Sequence, residues 1–167
     1  MESSHSKHTL PNLRVRAAHV DDLESLNEMM YCLHEEHHEL SPVLFRPPEQ
    51  IEKSIAVYID HPECLVFVAE VDNEVVGFVS GYFGQYESPV SQPVLMGTAD
   101  ELYITKPMRQ HGLGAKLMAK LERNFIDYGA KFMFVEVWDK NKSAVAFYRR
   151  NGFINHIHCL MKDLSSN

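Results

Sequence analysis

The apolar positions of this chain change period several times, and each change marks an element. Leu13–Ala17 alternates apolar and basic residues, which predicts a short strand with one buried face. Leu23, Leu26, Met29, Met30 and Leu33 then recur at three- and four-residue steps. That spacing predicts a helix with one core face running to Leu40, opened by a capping box of Asp21 and Glu24. Ser41–Pro48 holds three prolines and reads as a connection. Ile51, Ile55 and Ile59 predict a second helix over Glu49–Asp60, stopped by His61-Pro62. Beyond it, Cys64–Val71 and Val75–Phe83 are β-branched and aromatic and predict a hairpin joined by Asp72-Asn73-Glu74. Gly84–Pro93 is polar and reads as the longest loop. Strands follow over Thr98–Thr105, Phe132–Val137 and Phe153–Met161, with helices over Gly112–Tyr128 and Lys142–Asn151 between them. The order β-α-α-β-β-β-α-β-α-β predicts a mixed α/β (α+β) fold, a central mixed sheet with helices on both faces. Residues 1–12 read as a flexible polar arm and 13–167 as one domain without internal repeats.

Composition narrows the function classes. The chain has 167 residues, 45% hydrophobic and 23% charged, which fits one globular domain. Sixteen basic against 23 acidic side chains leave a formal charge of -7, so a fold-wide grip on nucleic acid is not expected. A neutral or cationic ligand suits the balance better. Cys32, Cys64 and Cys159 are an odd count without metal-ribbon spacing, each among apolar neighbours, and read as buried thiols in a reducing compartment. No apolar run reaches the roughly 18 residues needed to cross a bilayer, and Met1–Asn12 lacks a signal-peptide core. The expectation is a cytoplasmic protein that engages neither membrane nor nucleic acid.

Chemistry concentrates in Leu102–Met118, a strand, a short turn, Arg109-x-x-Gly112-x-Gly114 and an amphipathic helix. Glycines at a helix mouth let a ligand approach the backbone, and the first N–H groups of the helix are unpaired and lie at its positive end. This is a site for an anion such as a pyrophosphate, with Arg109 and Lys116 at its edge. A Walker loop is excluded, since Gly114 is followed by Ala115-Lys116-Leu117. A dinucleotide fingerprint fails at Leu117 and at the inserted Lys106–His111. A glycine-rich helix start without ligand stays open at this point.

A second segment decides the matter. Asn141-x-x-Ala144-x-x-Phe147-Tyr148-x-x-x-Gly152-Phe153 offers an N-cap, one helical face and a left-handed C-terminal glycine. Together with the glycine loop, this segment resembles the GNAT superfamily of N-acetyltransferases, from about Leu13 to Lys162. The resemblance implies acetyl-CoA as co-substrate, no metal, and direct transfer to a primary amine in a ternary complex. It implies that Leu102, Tyr103 and Ile104 offer backbone groups to the acetyl and pantetheine arm where two strands splay apart. Arg109, Gln110, His111, Gly112, Leu113, Gly114 and Ala115 would surround the pyrophosphate, and Asn141 would touch the cofactor further along. Tyr148 would be the general acid, because a phenol stays protonated at neutral pH and can hydrogen-bond the departing thiolate. Asp100 and Glu101 are the candidate bases, and strand alternation is expected to send them to opposite faces. The run from Asp100 through the glycine loop, with Trp138 and Arg149-Arg150-Asn151, also resembles the spermidine/spermine (diamine) acetyltransferase branch. A homodimer follows from the family's habit.

The first helix ends in His34-Glu35-Glu36-His37-His38-Glu39. Its histidines stand at i, i+3 and i+4, compatible with a metal or with a plain solvated helix end. In the GNAT reading this stretch lines the acceptor site, and Glu35, Glu36 and Glu39 would hold a small cationic amine. A protein N-terminus or lysine as acceptor, and a CoA-binding module without turnover, are the alternatives.

Overall fold

The computed structural model describes residues 12–165, which fall into two compact units, 12–136 and 137–165. The arm expected over residues 1–12 lies outside the described residues except for Asn12. The first unit is built on a five-stranded sheet in the order β1-β2-β3-β4-β5. Its strands are β1 (Arg14–Ala17), β2 (Cys64–Val71), β3 (Glu74–Tyr86), β4 (Val94–Ile104) and β5 (Phe132–Val135). The first four pair antiparallel and β5 joins β4 in parallel, so the sheet is mixed as expected. Asp72 and Asn73 both take positive φ, 50° and 69°, which is the backbone a two-residue hairpin needs.

Alternation along the strands divides the core between two faces. Val66, Val68, Phe78 and Tyr103 pack with Ile55 and with Leu26, Met29, Met30 and Leu33 of α1 (Leu23–Leu40). The opposite face carries α3 (Leu113–Asp127), whose stripe Leu113, Leu117, Leu121 and Phe125 is fully buried. Phe125 lies so close to β4 that a Cβ on Gly97 would come within 2.2 Å of its ring. Only glycine lets the helix settle there.

Several sequence expectations are corrected. His19 and Asp22, not Asp21 and Glu24, form the capping box, and they open a short 3-10 turn before α1. The second helix shrinks to α2 (Ala56–Asp60), while 51–54 has no regular structure. Of the three isoleucines Ile55 alone is fully buried, Ile51 and Ile59 are half-buried, and the core holds the face only from Ile55 to Ile59, where α2 forms. The long loop contracts to 87–93 because β3 and β4 continue pairing out to Tyr86 and Val94. No cysteine is fully buried: Cys32 and Cys64 are half-buried and Cys159 is exposed.

The second unit contains α4 (Lys142–Arg150), capped at one end by Asn141 Oδ1, which accepts from Ala144 N at 3.1 Å. Gly152 follows the other end at φ 89°, the left-handed residue the sequence called for. The strand expected over Phe153–Met161 does not form. A strand needs a partner ladder, and this unit has no other strand among its described residues.

One polar network crosses the sheet edge. Arg16 donates to Asp22 Oδ2 and to Glu70 Oε2, both at 2.7 Å, and Arg14 donates to Glu70 Oε1 at 2.7 Å. Asp22 and Glu70 are buried, so they depend on these cations. The Arg16 hydrogen bond, against opposing burial, holds the Asp22 carboxyl below its usual 3.8. A depressed carboxyl contributes stability that is full above 3.8 and lost as pH falls through the lower folded value. Arg16→Met is therefore expected to destabilise the protein by about 2 kcal/mol, below the usual figure for a buried pair because Arg16 is partly exposed. Urea melts at pH 7 measure this loss, and the mutational difference should narrow as the pH drops below 4.

Candidate functional site

The pairing of β4 sets the geometry. Its parallel partner β5 accompanies it only from Met96 to Ala99, leaving Asp100–Ile104 without β5 alongside. Thr105 N donates to Val76 O of β3 at 2.9 Å. By alternation, Leu102 and Ile104 then turn their backbone groups to the opposite, open edge, and Tyr103 turns its own toward β3. Ile104 O accepts from Arg109 Nε at 2.8 Å, while the Leu102 groups face the gap.

The second feature is a bulge. Val79 pairs with Leu102 but Gly81 pairs with Ala99, so Asp100 and Glu101 together oppose Ser80. One extra residue cancels the alternation and brings both carboxylates to the face that carries Phe78 and Tyr103. The expectation that they point to opposite faces is overturned for this reason. Lys53, from the irregular segment 51–54, places its ammonium on both, 2.7 Å from Asp100 Oδ2 and in contact with Glu101 Oε1. Tyr58 Oη donates to Asp100 Oδ2, Ser80 Oγ to Glu101 Oε2, and Lys53 Nζ lies 5.2 Å from the Tyr58 ring centre. Glu101 is buried, and burial pushes its carboxyl above the usual range against the pull of Lys53 and Ser80. Burial lowers the Lys53 ammonium pKa, but the two carboxylates outweigh it and the net shift is upward. Burial and then Asp100 also raise the Tyr58 phenol.

The helix mouth lies just beyond. Gln110 and Gly112 take φ of 68° and 77°, which turn the chain from the strand into α3. A Cβ on Gly112 would meet nothing within 4 Å, so backbone conformation and not crowding calls for glycine there. The first helical bond runs from Lys116 N to Gly112 O at 3.2 Å, leaving the N–H groups of Leu113, Gly114 and Ala115 without helical partners. The Leu113 side chain is core, so only its backbone faces the mouth. His111 Nδ1 is 2.9 Å from Arg109 O, within the turn.

Other candidates sit differently from expectation. Arg109 is committed within the protein: besides Ile104 O it donates to Glu36 Oε1 at 2.7 Å and lies 5.2 Å from the Tyr103 ring centre. Glu36 is held by Arg109, with Lys106 at 3.9 Å, while Glu35 and Glu39 are exposed. His38 Nδ1 pairs with Phe45 O at 2.8 Å and the His37 ring stands 5.5 Å from that of Phe45. Among the described residues, no three metal-binding side chains converge. In the second unit, Tyr148 packs edge-on against Phe147 and Phe153, and burial pushes its phenol up to about 12. Asn141 spends its carbonyl on the helix cap. Lys53, Tyr58 and Ser80 carry no motif, and the bulge that gathers them leaves no mark in residue type.

A family model described as the acetyltransferase (GNAT) family matches residues 27–153. An acetyltransferase from Vibrio fischeri shares 47% identity, over 75% of this chain and 96% of that one, with a TM-score of 0.65. A Bacillus halodurans protein superposes with a TM-score of 0.82 at 19% identity, over 90% of this chain and 99% of that one. The aminoglycoside N-acetyltransferase AAC(6')-Iy in complex with CoA gives 0.70 at 14% identity, over 92% and 95%. These last two likenesses concern the fold.

Proposed function

The chain belongs to the acetyltransferase (GNAT) family and is an N-acetyltransferase, and we propose that it moves the acetyl group of acetyl-CoA directly to a primary amine on a small cation. One observation carries the choice of acceptor: a primary ammonium, that of Lys53, already rests on Asp100 and Glu101 beside the open edge of β4. Two carboxylates and a tyrosine face form the surroundings that a desolvated alkylammonium requires. We favour the bulge over the Glu35–Glu39 stretch as the acceptor site, since Glu36 is held by Arg109.

The donor fits the residues present. Free N–H groups at the mouth of α3 suit a pyrophosphate, and the Leu102 groups on the open edge suit an amide-bearing arm. When bound, acetyl-CoA supplies a thioester carbonyl for attack. Glu101 takes a proton from the acceptor ammonium, a task helped by its raised pKa, and Asp100 keeps the cation in place. Tyr148 donates to the leaving sulfur. A thiol of pKa about 8.5 is a sufficiently good leaving group that a hydrogen bond, without full transfer, serves.

Because the resident amine is a lysine side chain, a peptide lysine is the second reading. Thiol release from acetyl-CoA tests both, with diamines, aminoglycosides, amino acids and lysine peptides as acceptors. Release is expected with the diamines and aminoglycosides, at lower KM than with neutral-flanked monoamines. Release with lysine peptides alone selects the second reading, and no release above hydrolysis with any acceptor overturns the proposal.

A further inference from the structure

We propose that Lys53 is itself an acceptor, so that the enzyme acetylates its own chain at this position. The inference rests on the assignment of the bulge as the amine site and takes it one step further. Lys53 is the one lysine among the described residues whose ammonium contacts Asp100 and Glu101. Those residues directly follow Ala99, where β5 leaves β4 and the backbone edge opens. Lys106 faces Glu36, Lys142 faces Asp139 and Lys120 lies over Phe67, so their amines are engaged elsewhere.

Two further features favour transfer over a purely structural ion pair. Lys53 comes from 51–54, which has no helical or strand bonding to hold it rigidly, so a small advance of the side chain breaks no ladder. Its side chain is 36% exposed, whereas Glu101 beneath it is 6% exposed. The lysine is thus the more accessible partner of the pair, and its ammonium is in contact with the buried carboxylate that accepts the proton.

The step balances with acetyl-CoA as the sole co-reactant. Glu101 accepts one proton from the Lys53 ammonium, and the freed lone pair on Nζ forms the N–C bond to the acetyl carbon. The C–S bond breaks with its electron pair on sulfur, and the thiolate leaves as the thiol after protonation. The net change is ammonium plus thioester to amide, thiol and one proton. Acetylation removes the charge that bridges Asp100 and Glu101, so each chain reacts once and then presents its carboxylates to an incoming acceptor. A cation added in excess competes with Lys53 for the same oxygens and slows the modification.

Intact-mass measurement and peptide mapping of the full chain, incubated with acetyl-CoA and no acceptor, test this. One acetyl group is expected at Lys53, at least tenfold faster than at the exposed Lys116, with a first-order rate constant unchanged over a tenfold range of protein concentration. Lys53→Arg should abolish the mass shift, and Glu101→Gln, which keeps the lysine, should slow it at least tenfold. A saturating diamine should suppress it. Lys53 left unmodified after incubation with acetyl-CoA alone, in enzyme that releases thiol when amines are added in a separate assay, overturns the inference and leaves the proposed function standing. A rate proportional to protein concentration, or labelling no faster than at Lys116, also overturns it. Neither labelling nor thiol release with any amine removes both readings together.

Discussion

Tyr148→Phe is expected to lower kcat about 100-fold and to leave the Kd for acetyl-CoA within a factor of two. The substitution is clean because the ring of Tyr148 packs edge-on against Phe147 and Phe153, at centroid distances of 5.3 and 5.6 Å, and phenylalanine keeps both contacts. Only the hydroxyl is lost. General acid catalysis contributes about 10²–10⁴-fold, and the low end applies because a thiolate needs less help to leave than an alkoxide or amine would. The loss should appear equally in kcat and kcat/KM, the mark of an interaction made in the transition state alone. Burial holds the phenol near 12, so wild-type turnover should show no loss of this acid up to pH 10. Steady-state thiol release with a diamine, and equilibrium binding of acetyl-CoA, read the two quantities. Unchanged turnover removes Tyr148 from the mechanism, and a weakened Kd reassigns it to cofactor binding.

The assignments that succeed and those that fail from sequence differ in the range of the interaction behind them. Asn141 and Gly152 were legible as helix caps because capping acts over three or four residues. The α1 and α3 stripes were legible because each helix buries one face over successive turns, residues 26–33 in α1 and 113–125 in α3. The Asp72-Asn73 turn was legible for the same local reason. What escaped is non-local. The β4 bulge arises from pairing with β3 some 20 positions away, and no residue at Asp100 or Glu101 announces it. The alternation rule assumes an unbroken ladder, so one inserted residue reversed the predicted placement of Asp100. Lys53 and Tyr58 reach Asp100 across 47 and 42 positions from a segment whose isoleucines suggest an ordinary helix. Arg109 is also non-local: motif spacing sets it at the edge of the helix mouth, but its guanidinium is drawn to Glu36, 73 positions away. The proposed donor side follows from motif spacing, while the proposed acceptor side follows from the pairing of the sheet.

Glu101→Gln carries the second large effect, a fall in kcat/KM of about 10²–10³-fold for a cationic amine. Glutamine is close in shape and can keep a hydrogen bond with Ser80 Oγ, so loss of proton acceptance dominates over loss of structure. The pH profile separates this role from simple charge binding. Glu101 must be ionised to take the proton, and burial raises its pKa above the ordinary carboxylate value. Wild-type kcat/KM should therefore fall as the pH drops through that raised value, and the variant should lack this acidic limb. Asp100→Asn supplies the contrast. Asp100 faces outward, bonded to Tyr58 and Lys53, and its replacement should raise KM with a smaller change in kcat. If instead the two variants show the same KM increase and both keep the acidic limb, the bulge binds the cation and the proton leaves by another route. The different burial of two neighbouring carboxylates, 28% against 6% exposed, is the ground on which we propose to divide binding from proton transfer between them.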